Sequence, residues 1–125
     1  MNDEWSKTLR MNYREITTAE TLVDVLESSE RQPVLFFKHS NTCGVSNRAL
    51  SEFRRYLQAP ESALVGNYLI VIQNAREVST ELARLTGVQH ESPQAVIVAE
   101  GRAVWNDSHL ALKCGTLIEA VRHVI

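Results

Sequence analysis

The 125-residue sequence has few cysteines, no long apolar run and no large excess of charge of one sign. Its two cysteines, Cys43 and Cys114, are too few and too far apart for a disulfide framework or a zinc site. No apolar stretch approaches the roughly 20 residues that a membrane-spanning helix needs. The net charge of −2 gives no electrostatic basis for binding nucleic acid or an anionic membrane surface.

The remaining composition fits one folded domain with a substantial core. Hydrophobic residues make up 44% of the chain, which predicts a single domain over residues 1–125, with residues 1–12 as a flexible or helical arm. The polar start, MNDEWSKTLR, lacks the apolar segment of a secretory signal, so we expect a cytoplasmic protein, with a monomer as the default state. In that reducing compartment a lone cysteine is either buried or reactive.

Apolar runs and periodic stripes predict alternating strands and helices. The predicted strands are Tyr13–Ile16, Val34–Phe37, Tyr68–Ile72, Ala95–Val98, and a segment after the Glu100-Gly101 turn that ends near Trp105. The predicted helical stripes are Ala19–Leu26, Cys43–Leu57, Val78–Leu85 and Leu110–Ile125. The expected caps are a Thr17–Glu20 capping box, Gly87 after the third helix, and Asp107 or Ser108 before the last.

The order β-α-β-α-β-α-β-β-α predicts an α/β fold of the thioredoxin-like layout. Its βαβ units are expected to pair in parallel with right-handed crossovers, and the final hairpin to add an antiparallel edge. The result is a central mixed sheet with helices on both faces. Cys114 falls on the apolar stripe of the last predicted helix, which favours inert packing over a role in disulfide exchange.

Cys43 follows an apolar strand and the turn HSNT, and it precedes a helical pattern. It is thus predicted at the carboxyl end of a central strand, the edge at which open α/β sheets bind ligands. The unpaired N–H groups and the dipole of a helix N-terminus favour a thiolate, the nucleophilic form of cysteine. The alternative is a small buried residue at a turn, but the strand-to-helix corner favours a reactive thiol.

Ser46 stands three residues after Cys43, in a C-x-x-S pattern. A second cysteine there would resolve a mixed disulfide internally, which serine cannot do. The hydroxyl is predicted to donate a hydrogen bond to the thiolate, although serine is also common in first helical turns for capping reasons. The pattern therefore predicts exchange through one protein thiol, completed by an external thiol.

Pro93 stands between Ser92 and a core strand. In the thioredoxin-like layout this is where a cis-proline faces the active cysteine, whereas an ordinary trans-proline at the start of a strand is the alternative. Because proline has no N–H group, the backbone before it can pair with an extended, thiol-bearing substrate. The sequence leaves the isomer open.

Four further polar residues lie near these positions in the sequence. Lys38 and His39 precede the cysteine loop; either cation would support a thiolate at close range, or both are solvated surface groups. Strand alternation points the two in opposite directions. His90 is a weaker candidate for the same cleft, and His109 has no chemical argument of its own. The histidines lack metal-binding spacing, so we expect no metal site.

Three segments together resemble the signature blocks of the monothiol bacilliredoxins. These segments are FKHSNTCGVS, GVQHESPQAVIV and VWNDSHLALK, and the resemblance covers roughly residues 13–125. It implies a thioredoxin-like stress-response protein of the bacillithiol system, in which Cys43 removes bacillithiol from mixed disulfides. It also implies that Pro93 is the cis-proline and that Ser46 replaces a resolving cysteine. Gly44 departs from the family, which commonly has proline there, and glycine loosens the first helical turn.

The sequence therefore predicts Cys43 and Ser46 as the catalytic residues. The predicted substrate-binding residues are His39, Thr42, Gly44, Ser92 and Pro93. Bacillithiol is expected as a co-substrate rather than a bound cofactor, and the expected partners are S-thiolated proteins. Two alternatives stay open: an iron–sulfur carrier, because CGVS is close to the C-G-F-S loop of monothiol glutaredoxins, and a non-catalytic thioredoxin-like interaction module.

Overall fold

The apolar runs of the chain form the middle of a five-stranded sheet. The computed structural model describes residues 12–125, and its strands are β1 (Arg14–Glu15), β2 (Val34–His39), β3 (Gly66–Val71), β4 (Gln94–Ala99) and β5 (Arg102–Ser108). They are arranged in the order β1-β3-β2-β4-β5. All six residues of β2 are buried, which confirms the prediction of a central strand covered on both faces.

Four helices cover the two faces of this sheet. They are α1 (Ala19–Ser28), α2 (Gly44–Leu57), α3 (Arg76–Thr86) and α4 (Cys114–Val124). Alternate residues of β2 belong to different cores: Leu35 and Phe37 pack with α2 and α4, whereas Val34 and Phe36 pack with α1 and α3. The predicted mixed sheet with helices on both faces is confirmed.

The direction of β4 differs from the sequence-based prediction. β2 and β3 are parallel, but β4 runs antiparallel to β2, with Gln94 opposite Lys38 and Val98 opposite Val34. Residues 76–93 bring the chain back to the edge at which β2 and β3 end, so β4 starts there and runs in the opposite direction. The third predicted parallel crossover was therefore wrong. Its reversal brings the residues before β4 to the carboxyl end of β2.

The predicted caps of the first and last helices also need correction. Thr18, not Thr17, caps α1, and its side chain accepts the Thr21 N–H. Asp107 and Ser108 belong to β5, where they pair with β4, and neither caps α4. After a short 3₁₀ turn at His109–Ala111, α4 begins only at Cys114. Gly87 ends α3 in the left-handed conformation, as predicted.

Cys114 therefore lies at a helix start instead of within an apolar stripe. It is half-buried and packs against the core between the sheet, α2 and α4. Trp105 packs against the same core. The predicted N-terminal arm, except for Asn12, lies outside the described residues. No helix formed by residues 12–125 has both the length and the apolar character needed to cross a membrane.

A buried hydrogen-bond network joins α2 to β3. The Tyr56 hydroxyl donates to Asn67 Oδ1 at 2.7 Å, and Asn67 Nδ2 donates to the Ser62 carbonyl at 2.8 Å. Both Tyr56 and Asn67 are nearly inaccessible to solvent, and burial raises the pKa of Tyr56. This network holds α2 against the sheet at the end opposite to Cys43.

Replacing Tyr56 by Phe is expected to lower the free energy of unfolding by about 1–2 kcal/mol, because Asn67 Oδ1 would stay buried without a donor. Urea unfolding would measure the change. Tyr68→Phe is the matched control, since Tyr68 is only half-buried. Equal stability of the two variants would contradict a structural role for the Tyr56 hydroxyl.

Candidate active site

Cys43 is the N-cap residue of α2, at the edge where β2 ends. Its backbone is extended, and its carbonyl accepts the Asn47 N–H at 3.0 Å, so the 14-residue helix begins immediately after it. The thiol is half-buried and makes no capping hydrogen bond. The sulfur thus lies beside the positive, N-terminal end of a long helix and makes no capping hydrogen bond to it. This position confirms the predicted strand-to-helix corner.

Stacked aromatic rings fix α2 against β2 below this corner. The rings of Phe37 and Phe53 lie 4.6 Å apart between centroids and are nearly parallel. Both side chains are fully buried. Because Phe37 lies two residues before the end of β2, this contact limits how far the first turns of α2 can move relative to the strand.

The Ser46 hydroxyl joins the end of β2 to the first turn of α2. Ser46 is completely buried; its Oγ accepts the Ser40 N–H at 2.9 Å and lies 2.9 Å from His39 Nδ1. In the described part of the chain, its hydrogen bonds are to these two residues and do not include the Cys43 sulfur. The sequence predicted a hydrogen bond from Ser46 to the Cys43 thiolate, but the hydroxyl instead connects the end of β2 to α2. A catalytic role for Ser46 stays a prediction.

His39 is buried rather than solvated, with 4% of its surface exposed. Burial is the main cause that lowers its pKa, which favours the neutral imidazole at neutral pH. Burial thus argues against His39 supporting the thiolate as a cation, and its role in binding substrate stays a prediction. Its ring instead contacts Ser46 and helps to connect β2 to α2.

Lys38 is buried on the opposite face of β2, as strand alternation predicted, and is not a solvated surface group. Its Nζ donates to Gln94 Oε1 at 3.2 Å, and Gln94 Nε2 donates to the Gln89 carbonyl at 2.9 Å. Burial lowers the pKa of Lys38 to about 8, and the nearby Glu91 carboxylate opposes this shift. Lys38 thus connects the end of β2 with the segment that leads to Pro93.

Gln73 is a site residue that the sequence reasoning missed. Its Oε1 accepts the Asn41 N–H at 3.1 Å, and its Nε2 donates to Ser40 Oγ at 2.9 Å. A longer contact of 3.4 Å reaches Oγ1 of the exposed Thr42, which was predicted to bind substrate. Gln73 therefore holds the loop before Cys43. Gln73 lies in the 3₁₀ turn Ile72–Asn74 that follows β3, at the same sheet edge. That position was the one signal in the sequence, and it does not specify these contacts.

The Ser92–Pro93 peptide bond is cis, as the resemblance implied. Pro93 directly precedes β4, whose first residue lies opposite Lys38, so Pro93 and Cys43 lie at the same edge of the sheet. The Pro93 carbonyl accepts the His109 N–H at 3.0 Å. The Ser92 hydroxyl oxygen is buried and has no hydrogen-bond partner among residues 12–125.

The histidines near this segment differ in their contacts. His90 is exposed, and its Nδ1 lies 3.1 Å from Ser79 Oγ on α3. His109, for which the sequence offered no role, lies beside Pro93 and has its Nε2 3.0 Å from Glu91 Oε2. Across residues 12–125, no three His, Cys, Asp or Glu side chains are close enough to form a metal-binding group.

Gly44, the departure from the family pattern, is the exposed first residue of α2. A Cβ atom at this position would meet no other atom within 4 Å. Neither close packing nor a left-handed backbone therefore requires glycine here. A role for Gly44 in binding substrate stays a prediction.

Comparison with known proteins identifies the family to which the chain belongs. Residues 14–117 match the family model described as monothiol bacilliredoxin BrxC. A solved structure described as a candidate oxidoreductase with a thioredoxin fold is 31% identical, with a TM-score of 0.76 over 90% of this chain and 96% of that chain. Thioredoxin from Trypanosoma brucei brucei has 14% identity and a TM-score of 0.73, with 92% of each chain covered. Thioredoxin f from spinach chloroplast has 16% identity and a TM-score of 0.69, over 90% of this chain and 93% of that chain. These matches confirm the thioredoxin-like fold.

Because Lys38 is buried, the free energy of unfolding is expected to change with pH in the alkaline range. Its pKa is about 8 in the folded protein and returns to the ordinary value of 10.5 on unfolding, so the unfolded state binds more protons between these values. Stability therefore rises with pH through this window. We expect the unfolding free energy of the wild type, relative to Lys38→Met, to increase by on the order of 1–2 kcal/mol after allowance for solvent screening.

Urea unfolding of both proteins at pH 7 and pH 10 would measure this effect. Subtracting the variant from the wild type removes the titration of all other groups. A difference that does not change between the two pH values would contradict the buried-ammonium interpretation.

Ser46→Ala is expected to lower the unfolding free energy by about 1–2 kcal/mol, because the Ser40 N–H and the His39 ring would lose a buried partner. Ser51→Ala changes an exposed serine of the same helix and should have an effect below about 0.5 kcal/mol. Chemical unfolding of the two variants gives the comparison. Equal midpoints would show that the Ser46 contacts contribute nothing to stability.

Proposed function

Because the chain belongs to the monothiol bacilliredoxin family, we propose that it removes bacillithiol, or a similar low-molecular-weight thiol, from mixed disulfides through Cys43 alone. Family membership and fold make the chain a thiol oxidoreductase of the thioredoxin-like class. The single observation that carries the finer proposal is the position of Cys43: a half-buried thiol at the start of α2, on the sheet edge that also holds Pro93.

The position of Cys114 supports a mechanism that uses one protein thiol. Both cysteines are free, and the Cys114 N–H donates to Glu52 Oε1 at 3.0 Å. Glu52 lies nine residues after Cys43 along α2, which corresponds to about 13 Å of helix rise. Cys114 therefore lies beside the third turn of α2, whereas a disulfide needs Cα atoms within about 7 Å.

The position of Ser46 supports the same mechanism. Ser46 occupies the place where a dithiol protein has its resolving cysteine, but its oxygen is completely buried and bound to Ser40 and His39. The intermediate formed at Cys43 then requires a thiol from outside the chain.

The proposed reaction is a pair of thiol–disulfide exchanges. The Cys43 thiolate attacks the bacillithiol sulfur of the mixed disulfide, forms a new S–S bond and releases the protein thiolate. A second low-molecular-weight thiolate then attacks the sulfur held by Cys43; it forms a small-molecule disulfide and regenerates the Cys43 thiolate. No net oxidation of the enzyme occurs and no bound cofactor takes part. Bacillithiol is a co-substrate, S-thiolated proteins are the partners, and the reducing cytoplasm is the compartment that suits a free thiol.

Cys43→Ser is expected to abolish release of bacillithiol from a mixed-disulfide protein, lowering the rate by on the order of a hundredfold or more, because the nucleophile is lost. Cys114→Ser is the matched control and should keep the wild-type rate. Mass spectrometry of the substrate protein, with excess bacillithiol as the second thiol, follows the reaction. Equally slow release by wild type and Cys43→Ser would contradict the proposal and favour a non-catalytic interaction module.

A further inference from the structure

A groove of about 470 Å³ lies between the first half of α2 and the segment from His109 to Lys113. The α2 wall consists of Val45, Arg48, Ala49 and Glu52. Their i, i+3, i+4, i+7 spacing places these four residues on one face of the helix. Because the apolar stripe predicted a continuous helix from Leu110, this second wall could not be anticipated from the sequence.

The groove begins at the reactive edge of the sheet. Val45 is the second residue of α2, directly after the turn that holds Cys43. On the opposite wall, His109 donates its N–H to the Pro93 carbonyl. The two walls are therefore continuous with the two segments that carry Cys43 and Pro93. From Val45 to Glu52 the helix rises by about 10 Å, a length suited to a small molecule rather than to a folded partner.

The unpaired charges of the groove are positive. Arg48 projects from one wall and Lys113 from the other, and neither takes part in an ion pair among residues 12–125. Glu52, the one carboxylate of the lining, is already bound by Arg55 at 3.1 Å and by the Cys114 N–H at 3.0 Å. The His109 imidazole is paired with Glu91. A ligand with carboxylate groups would therefore find two available cations.

Apolar residues lie between these cations. Ala49 and Leu112 are buried and form the floor of the groove, whereas Leu110 at its rim is 64% exposed. This combination of an apolar floor and a few charged groups is typical of sites that orient small ligands.

We propose that this groove binds the part of a low-molecular-weight thiol that lies beyond its sulfur, and that Arg48 and Lys113 bind carboxylates on that part. The inference rests on the proposed function and specifies which half of the mixed disulfide the protein recognises. With the small thiol in the groove, its sulfur faces Cys43. The Cys43 thiolate then attacks that sulfur, the Cys43–small-thiol disulfide forms, and the protein thiolate leaves.

The binding test uses Cys43→Ser, so that no exchange occurs, and two probes: S-methyl bacillithiol, which carries malate carboxylates, and S-methyl cysteinyl-glucosamine, which lacks them. NMR amide shifts on titration should cluster at residues 45–52 and 109–113 with the first probe. Adding Arg48→Gln and Lys113→Gln should weaken binding of the carboxylate probe by about tenfold or more. Arg102→Gln, an equal charge change on the exposed start of β5, should have no effect.

The kinetic test measures release of the two small thiols from the same substrate protein by otherwise wild-type enzyme. Arg48→Gln and Lys113→Gln should each raise KM for the bacillithiol adduct about five- to tenfold, with little effect on kcat or on the adduct without carboxylates. Arg48→Lys keeps the positive charge, so its KM for the bacillithiol adduct should stay much closer to the wild-type value than that of Arg48→Gln. Equal effects on both adducts, or amide shifts away from the groove, would overturn the inference.

The two proposals fail in different ways. If wild-type protein releases no small thiol but Cys43→Ser still binds the carboxylate probe in the groove, the proposed function is wrong and the binding site stands. If release depends on Cys43 but does not depend on Arg48, Lys113 or the carboxylates, the function stands and the groove assignment is wrong.

Discussion

The antiparallel pairing of β4 with β2 is the constraint on which the site depends. β2 has six residues, so its two ends are about 20 Å apart. If β4 had been parallel to β2, Pro93 would lie at the end of the sheet opposite to Cys43. The observed direction places the start of β4 opposite Lys38, at the end of β2. All other contacts between the cysteine segment and the proline segment follow from this arrangement.

Buried polar side chains then fix the two segments on opposite faces of the same strand. Lys38 points to one face and reaches the proline segment through Gln94, whereas His39 points to the other and reaches α2 through Ser46. Burying a lysine and a histidine at adjacent positions has a desolvation cost, which appears in the lowered pKa of each. Each group has a specific hydrogen-bond partner, which offsets part of this cost and positions one part of the reactive edge.

The sequence predicted the layers of the fold better than the directions within it. Apolar periodicity reports which face of an element is buried, and this was enough to identify the strand before Cys43 and the helix after it. Periodicity carries no information about strand direction, so the reversal of β4 was missed. Ser108 is a good N-cap by type, but its backbone is used by the sheet, and the start of the last helix was therefore misplaced. Gln73 and Lys38 gain their roles only from tertiary contacts, which a local pattern cannot report.

The C-x-x-S pattern takes on a more specific meaning in the folded protein. In a dithiol site, the fourth position must supply a sulfur that is free to attack the first. Here that position is completely buried, and its oxygen is committed to the Ser40 N–H and the His39 ring. The same contacts that hold the cysteine loop in place leave this position without a group that could resolve a disulfide at Cys43. If Cys43 exchanges disulfides as proposed, the second thiol must therefore come from solution.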